Sequence, residues 1–266
     1  VTLNSLSDSM NKGELSQVPA QAPTQAPTEL TTQTHWHGVS NEHAFQQVVV
    51  ELILISALRA IQQRGQFLIV LAGGNTPREI YKELCKAQTD WSAWQIYFSD
   101  ERCLPSNDSA RNSRMAAEVW LDHIPIPLIN LHPMPMEMGV IQAAKNYAES
   151  LHGIGDFDLV LLGLGEDGHT ASLFPNHEWG AEAHAPDTLV VCDAPKPPSE
   201  RVSLSAARLS RARQVIFLVS GESKRNAVDA WRDGKAIPAS AINPIAGVDV
   251  FVEDKLLVPA LTVKGI

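Results

Sequence analysis

Four times along the chain a short apolar run leads into a polar or glycine-rich loop and then into a helix-forming segment. The runs are Phe67-Leu-Ile-Val-Leu71, Trp94-Gln-Ile-Tyr-Phe98, Phe157-Asp-Leu-Val-Leu-Leu162 and Gln214-Val-Ile-Phe-Leu-Val219. The helices that follow are expected from Pro77, around Asn112 to Leu121, briefly after the third loop, and up to about Trp231. A first helix is expected over Asn41 to Arg64, ended by Gly65 as its C′ residue, and a last strand over Asp249 to Val252. Strands that are apolar throughout and alternate with helices specify a mostly parallel sheet covered on both faces. Ligands of such sheets bind beyond the carboxyl ends of the strands. The unusual loop residues all follow strands, so they are expected to gather on one edge. Thr188 to Leu204 also reads as extended, broken at Pro195 to Pro198, and is expected as an antiparallel addition.

Composition narrows the function classes. The 266 residues carry a formal net charge of −9, which argues against a general nucleic-acid or anionic-membrane binder. Cys85, Cys103 and Cys192 are far apart and odd in number, so neither a disulfide framework nor a zinc ribbon is expected, and a reducing cytoplasm is the simplest compartment. The opening residues lack a basic segment followed by an apolar core. Val48 to Leu58 is the most apolar stretch and falls short of the roughly 20 residues a spanning helix needs. Residues 1–34 read as a low-complexity tail rich in Ser, Gln, Pro, Ala and Thr, with QAPT repeated from Gln21 and Gln25. The body is expected over 35–266.

The loops carry the chemistry. In Ala72-Gly-Gly-Asn-Thr-Pro-Arg-Glu79 the paired glycines Gly73 and Gly74 permit a tight turn and close backbone approach. Asn75 follows, Thr76 is an N-cap type, Pro77 suits a first helical position, and Glu79 completes a capping box. The turn is either a phosphate site at a helix N-terminus or a well-capped turn without a ligand. Ser99-Asp100-Glu101-Arg102 ends the second strand. It is either a solvated loop or a site in which Arg102 grips a phosphate and Asp100 orients or accepts a proton. Gly163-Leu-Gly-Glu-Asp-Gly168 matches G-x-G-x-x-G, but Pro175 follows within about two turns, and Glu166 and Asp167 oppose a pyrophosphate. A dinucleotide reading is therefore set aside. The glycines are expected to hold His169 at the sheet edge, where it is either a structural hydrogen-bonder or a general base. Lys224 sits at a helix start, where dipole logic disfavours a cation unless an anion binds beside it. Arg201 is a further cation or an exposed strand residue. His35-Trp36-His37 has no neighbouring Cys or carboxylate pair and is expected to be structural. No H-E-x-x-H or G-x-S-x-G occurs.

Taken together, AGGNTP, FSDERCLP, LLGLGEDGHTASLFP, ERVSLS and VSGESKRNAV resemble the 6-phosphogluconolactonase family from about His35 to Val252, with GEDGHTASLFP the most specific part. The resemblance implies a modified Rossmann-like three-layer α/β/α sandwich with a smaller subdomain. It implies hydrolysis of 6-phospho-D-glucono-1,5-lactone in the pentose phosphate pathway, with no redox cofactor, no catalytic metal and no obligate protein partner. On this reading His169 is the general base and Asp100 orients it or the attacking water. Gly73, Gly74, Asn75, Thr76, Arg102, Arg201 and Lys224 bind the phosphosugar. Two departures stand out. Asn75 replaces the usual Ser of the glycine motif. Arg111 precedes Asn112 where Ser is common, and either adds to phosphate binding or lies exposed. The alternative readings are an amino-sugar phosphate deaminase or isomerase of the same fold, and a non-catalytic sugar-phosphate sensor. Those deaminases carry Asp-Glu-Tyr where this chain has Asp100-Glu101-Arg102, and a run ending Phe-Asn-Glu-Pro where it has Thr170 to Pro175.

Overall fold

Buried residues on both sides of one sheet account for the architecture. The structure, a computed structural model, describes residues 33–258. The expected tail therefore lies, apart from residues 33 and 34, outside the described residues. Strand β1 spans Thr34–Val39, helix α1 Glu42–Arg64, β2 Phe67–Leu71, α2 Asn75–Leu84, β3 Trp94–Phe98, β4 Asp100–Arg102 and α3 Asn112–Val119. Then come α4 Val140–Ser150, β5 Leu159–Gly163, β6 Thr188–Val191, β7 Arg201–Leu204, α5 Ala206–Ser210, β8 Val215–Val219, α6 Arg225–Arg232 and β9 Val248–Glu253. The main sheet has six strands in the order β1-β9-β8-β5-β2-β3, with every pairing parallel. A three-stranded antiparallel sheet, β4-β7-β6, is the smaller addition.

Strand alternation divides the core into two layers. In β2, Phe67, Ile69 and Leu71 join the cluster under α1, α2 and α3. Leu68 and Val70 join the opposite cluster, which is closed by α4, α6 and the small sheet. Burial on both faces is why these strands read as continuous apolar runs rather than alternating ones. Strands β2 and β5 are neighbours, and the chain leaves them toward opposite layers, which opens a crevice at their carboxyl ends.

Helix α1 follows its sequence signals. The Asn41 side chain accepts from Ala44 N–H at 3.0 Å, and Gly65 ends the helix in the left-handed region at φ 76°. The whole helix is longer and more apolar than Val48 to Leu58 suggests. An 18-residue window reaches a mean hydropathy of 1.7, enough by length and composition to cross a membrane. Its Phe45, Val49, Ile53, Ala57 and Ala60 instead pack into the core.

Two local expectations need correction. Helix α2 begins at Asn75 rather than beyond Thr76, with Gly74 at φ 102° as its cap residue and no side-chain cap. The capping box does not form, and Glu79 pairs with Lys82 instead. No helix follows the third loop; Thr170 and Leu173 form a bridge, and Ala171 and Asn176 take positive φ. The His35-Trp36-His37 segment lies on edge strand β1, where His37 Nε2 meets Asp249 Oδ1 at 2.8 Å and His35 Nδ1 lies 3.6 Å from the same oxygen. Among the described residues no group of three His, Cys, Asp or Glu is arranged to hold a metal.

Candidate active site

A cavity of about 370 Å³ opens at the carboxyl ends of β2, β3 and β5. It is lined by Gly73 and Gly74 after β2, Asp100 and Arg102 on β4, Gly163, Gly165 and His169 after β5, and Arg201 on β7. Lys196, from the Pro-rich break between β6 and β7, and Lys224, ahead of α6, complete its cationic wall. The structure thus brings together His169, Asp100, Gly73, Gly74, Arg102, Arg201 and Lys224. Asn75 and Thr76 line a separate cavity of about 210 Å³ with Glu42, Glu79 and Ser220. What these two residues offer is backbone: with no side-chain cap on α2, the first-turn N–H groups remain free to meet an anion.

The glycine loop shapes His169. Gly165 N–H donates to the His169 carbonyl at 2.7 Å, and Gly168 N–H to the Gly165 carbonyl at 3.1 Å. Gly168 sits at φ 86°, and a Cβ there would meet Ile237 Cβ at 2.9 Å. The G-x-G-x-x-G pattern is therefore explained by a tight turn around a histidine.

His169 Nδ1 lies 2.5 Å from Asp167 Oδ1. A carboxylate only accepts, so Nδ1 carries the proton and Nε2 holds the basic lone pair. Burial pushes the His169 pKa down. The Asp167 charge and hydrogen bond and the Asp100 charge oppose that shift, while Lys196 reinforces it. The ring is therefore neutral near pH 7. Burial pulls the Asp167 carboxyl up, yet the combined pull of His169 holds it below its usual range.

Asp100 is buried and held from both sides. Asn112 Nδ2 donates to its Oδ1 at 2.9 Å, and Ser172 Oγ donates to its Oδ2 at 2.6 Å. Asp167, rather than Asp100, orients the His169 ring. Glu101 turns the other way and receives the N–H groups of Asn112 at 2.8 Å and Ser113 at 2.9 Å, capping α3. Arg111 is neither exposed nor in the cavity. It is buried, 3.4 Å from Glu101 Oε2, paired to Glu137, and donates to the Met134 carbonyl at 2.9 Å.

The cations differ in how they are held. Arg201 donates through Nε to the Pro198 carbonyl at 3.0 Å and through Nη2 to the Lys196 carbonyl at 2.8 Å, so it anchors the loop bearing Lys196. Burial lowers its pKa, Asp100 raises it and Arg102 lowers it. Arg102 donates to the Ala110 carbonyl, and its buried Nε has no hydrogen-bond partner. Burial also lowers the Lys224 pKa; Glu166 and Asp167 oppose this and Lys196 adds to it. Arg102 and Lys196 add to the depression at Arg201 and Lys224, so these four side chains form one like-charged wall of the cavity.

Sequence reasoning missed four of these residues. Asp167 was legible as an acid two positions before the His, and Lys196 as a cation inside the Pro-rich break. Asn112 and Ser172 fall within stretches that carry the resemblance, but the part each plays is defined only by its contact with Asp100.

Known proteins match this chain over most of its length. A family model described as glucosamine-6-phosphate isomerases/6-phosphogluconolactonase matches residues 40–251. The chain is 35% identical over 220 residues to a 6-phosphogluconolactonase of Synechocystis sp., covering 75% of this chain and 88% of that protein. It is 37% identical over 202 residues to a 6-phosphogluconolactonase of Mycobacterium tuberculosis, covering 71% and 80%. The crystal structure of a 6-phosphogluconolactonase from Thermotoga maritima superposes with a TM-score of 0.77 at 26% identity, covering 83% of this chain and all of that one.

Proposed function

The chain belongs to the glucosamine-6-phosphate isomerase/6-phosphogluconolactonase family and is a lactonase of the pentose phosphate pathway, and we propose that it hydrolyses 6-phospho-D-glucono-1,5-lactone with His169 as general base. The observation that carries this reading is the Asp167–His169 pair, whose free Nε2 belongs to a cavity lined by four cations. Nε2 takes a proton from a water as that water attacks the lactone carbonyl carbon. The carbonyl oxygen becomes an oxyanion, and Lys196, whose charge bears on both His169 and Lys224, is the cation suited to stabilise it. Collapse breaks the bond to the ring oxygen. The imidazolium returns its proton there, so one residue serves both steps and the products are a carboxyl group and a free hydroxyl. Asp167 supports the imidazolium.

The phosphate is assigned to the Gly73–Gly74 turn, the first-turn N–H groups of Asn75 and Thr76, and Arg102, Arg201 and Lys224. Asp100 is a positioning residue that fixes the β4 backbone through Asn112 and Ser172. All three cysteines are free thiols, which suits a reducing cytoplasmic compartment.

The test is initial-rate hydrolysis of fresh lactone, corrected for the spontaneous reaction, with product affinity by calorimetry. His169→Ala should lower kcat by about 10²–10⁴ and leave 6-phosphogluconate affinity largely intact. Near wild-type kcat in that variant would put the base elsewhere.

A further inference from the structure

The loop that carries Lys196 is fastened to the segment that carries His169. Residues 192–200 join β6 to β7 as a strap, and Lys196 and Pro197 on it line the cavity. Arg201 holds the far end of the strap through the Lys196 and Pro198 carbonyls, and Ala194 N–H donates across it to the Ser199 carbonyl at 3.1 Å. The near end meets His177, whose Nε2 lies 3.1 Å from Asp193 Oδ1 and whose Nδ1 lies 3.0 Å from the Pro175 carbonyl oxygen. Phe174 is buried in a small cluster with Val191 and Ala194. Its ring centroid lies 4.9 Å from that of His169, 5.8 Å from that of His177 and 5.5 Å from the guanidinium carbon of Arg201. One aromatic ring thus joins the proposed base, the strap and the arginine that anchors the strap.

Both partners of the His177 ring accept and neither donates, one being a carbonyl and the other a carboxylate. Only the imidazolium, with a proton on each nitrogen, satisfies both contacts. The other titratable groups around it are Glu178 and Glu182, which line the same surface cavity, and His169 and Arg201 across the Phe174 ring. The Pro175 carbonyl raises the His177 pKa, burial opposes this, and the Asp193 charge and hydrogen bonds raise it again. The ring is a cation below that raised value and loses one of its two hydrogen bonds as pH rises through it. We propose that His177 and Asp193 form a clasp that holds the 192–200 strap, which makes both of them positioning residues for Lys196. This rests on the assignment of Lys196 to the lactone carbonyl oxygen. The site then uses two histidines in opposite senses, since His169 works neutral and His177 clasps as a cation. Besides the acid limb set by His169, kcat should have an alkaline limb with its midpoint above 6.5. The Asp193 side chain is 80% exposed, so opening the clasp should cost up to about fivefold.

Two measurements on the full chain test it: hydrogen exchange of the strap at about pH 6, and kcat on fresh lactone from about pH 5.5 to about 8.5, corrected for the spontaneous reaction. His177→Gln and Asp193→Asn should each speed strap exchange by up to about fivefold. Asp193 is exposed, so its amide variant reads the clasp in an intact fold. His177→Gln should hold kcat at the lower, alkaline value and lose the limb. Asp193→Asn should move the limb toward acid, because the Asp193 charge raises the His177 pKa. His177→Lys, cationic across the range, should hold the upper value and lose the limb. KM should stay nearly unchanged throughout, and His177→Gln added to Lys196→Ala should cost nothing further. Wild-type strap exchange in both His177→Gln and Asp193→Asn overturns the proposal. So does an alkaline limb that persists in His177→Lys, or a further loss of kcat when His177→Gln joins Lys196→Ala. Wild-type kcat in Lys196→Ala alone removes the assignment of Lys196 to the oxyanion instead, and strap exchange then decides the clasp.

Discussion

A Cβ built on Gly165 would lie 2.0 Å from Nδ1 of His169. The imidazole therefore rests directly on the Gly165 backbone, clamped there by Asp167 from the other side of the same nitrogen. Gly165→Ala forces the ring off both contacts. Overpacking of this kind costs about 1–3 kcal/mol, and here the group that must move is the proposed base. The expected outcome is a folded protein with a modestly lower Tm and a kcat reduced at least about tenfold, toward the general-base range. Wild-type turnover in Gly165→Ala would show that the His169 ring position is not what sets the rate.

The pH profile follows from the same pair. Neutral His169 is the working form, and burial holds its pKa below the ordinary 6.5. Activity should fall as pH drops through that depressed value, so the acid limb of kcat/KM should have its midpoint below 6.5. Asp167 raises the His169 pKa through both charge and hydrogen bond. Asp167→Asn removes the charge, so the limb should move further toward acid while kcat falls by up to about 10⁴-fold, as when the carboxylate that orients a general-base histidine is replaced by its amide. Asp100→Asn should move the limb the same way, since the Asp100 charge also raises that pKa. A limb that moves toward alkaline pH in either variant contradicts these assignments.

Stability should be most sensitive at Glu101, which no substrate reaches in this reading. Its buried carboxylate caps α3, receives the Ser113 hydroxyl at 2.6 Å and faces Arg111. Glu101→Ala leaves a buried guanidinium and three backbone N–H groups short of a partner. Removing one member of a buried ion pair costs about 3–5 kcal/mol. Urea unfolding should show a loss of that order, with wild-type stability as the contrary result.

The parts of this molecule that could be read from sequence are those fixed by local patterns. β2, β3, β5 and β8 could be read because strands buried on both faces must be apolar at every position. The Asn41 and Gly65 ends of α1 could be read because capping is chemistry within a few residues. Thr76 misled, because an N-cap residue type was present but Gly74 at positive φ started the helix two residues earlier. Strand β4 read as a loop, because its pairing partner β7 lies about a hundred positions away. The site shows the same division. His169 and the cations lie next to strand ends, but the Asn112 and Ser172 contacts to Asp100 exist only after folding. Arg111 looked like a free cation because its partners Glu101 and Glu137 meet it through tertiary packing.

The two lysines give the last test, because they are assigned to different ends of the substrate. Lys224 is assigned to the phosphate, an interaction made equally in the ground and transition states. Lys196 is assigned to the carbonyl oxygen, where charge develops only during attack. A charge-assisted hydrogen bond contributes about 1.5–3 kcal/mol, so each Lys→Ala change should cost roughly ten- to a hundredfold in kcat/KM, at one decade per 1.4 kcal/mol. The division between constants is what separates them. Lys224→Ala should raise KM with kcat nearly unchanged, and Arg102→Ala should behave likewise. Lys196→Ala should lower kcat with KM nearly unchanged. It should also raise the His169 pKa, because the Lys196 charge depresses it, and so shift the acid limb toward neutrality. Steady-state kinetics on fresh lactone across pH measures all of this at once. If Lys196→Ala raises KM alone and leaves the acid limb in place, Lys196 belongs with the phosphate and the oxyanion must be stabilised by another group.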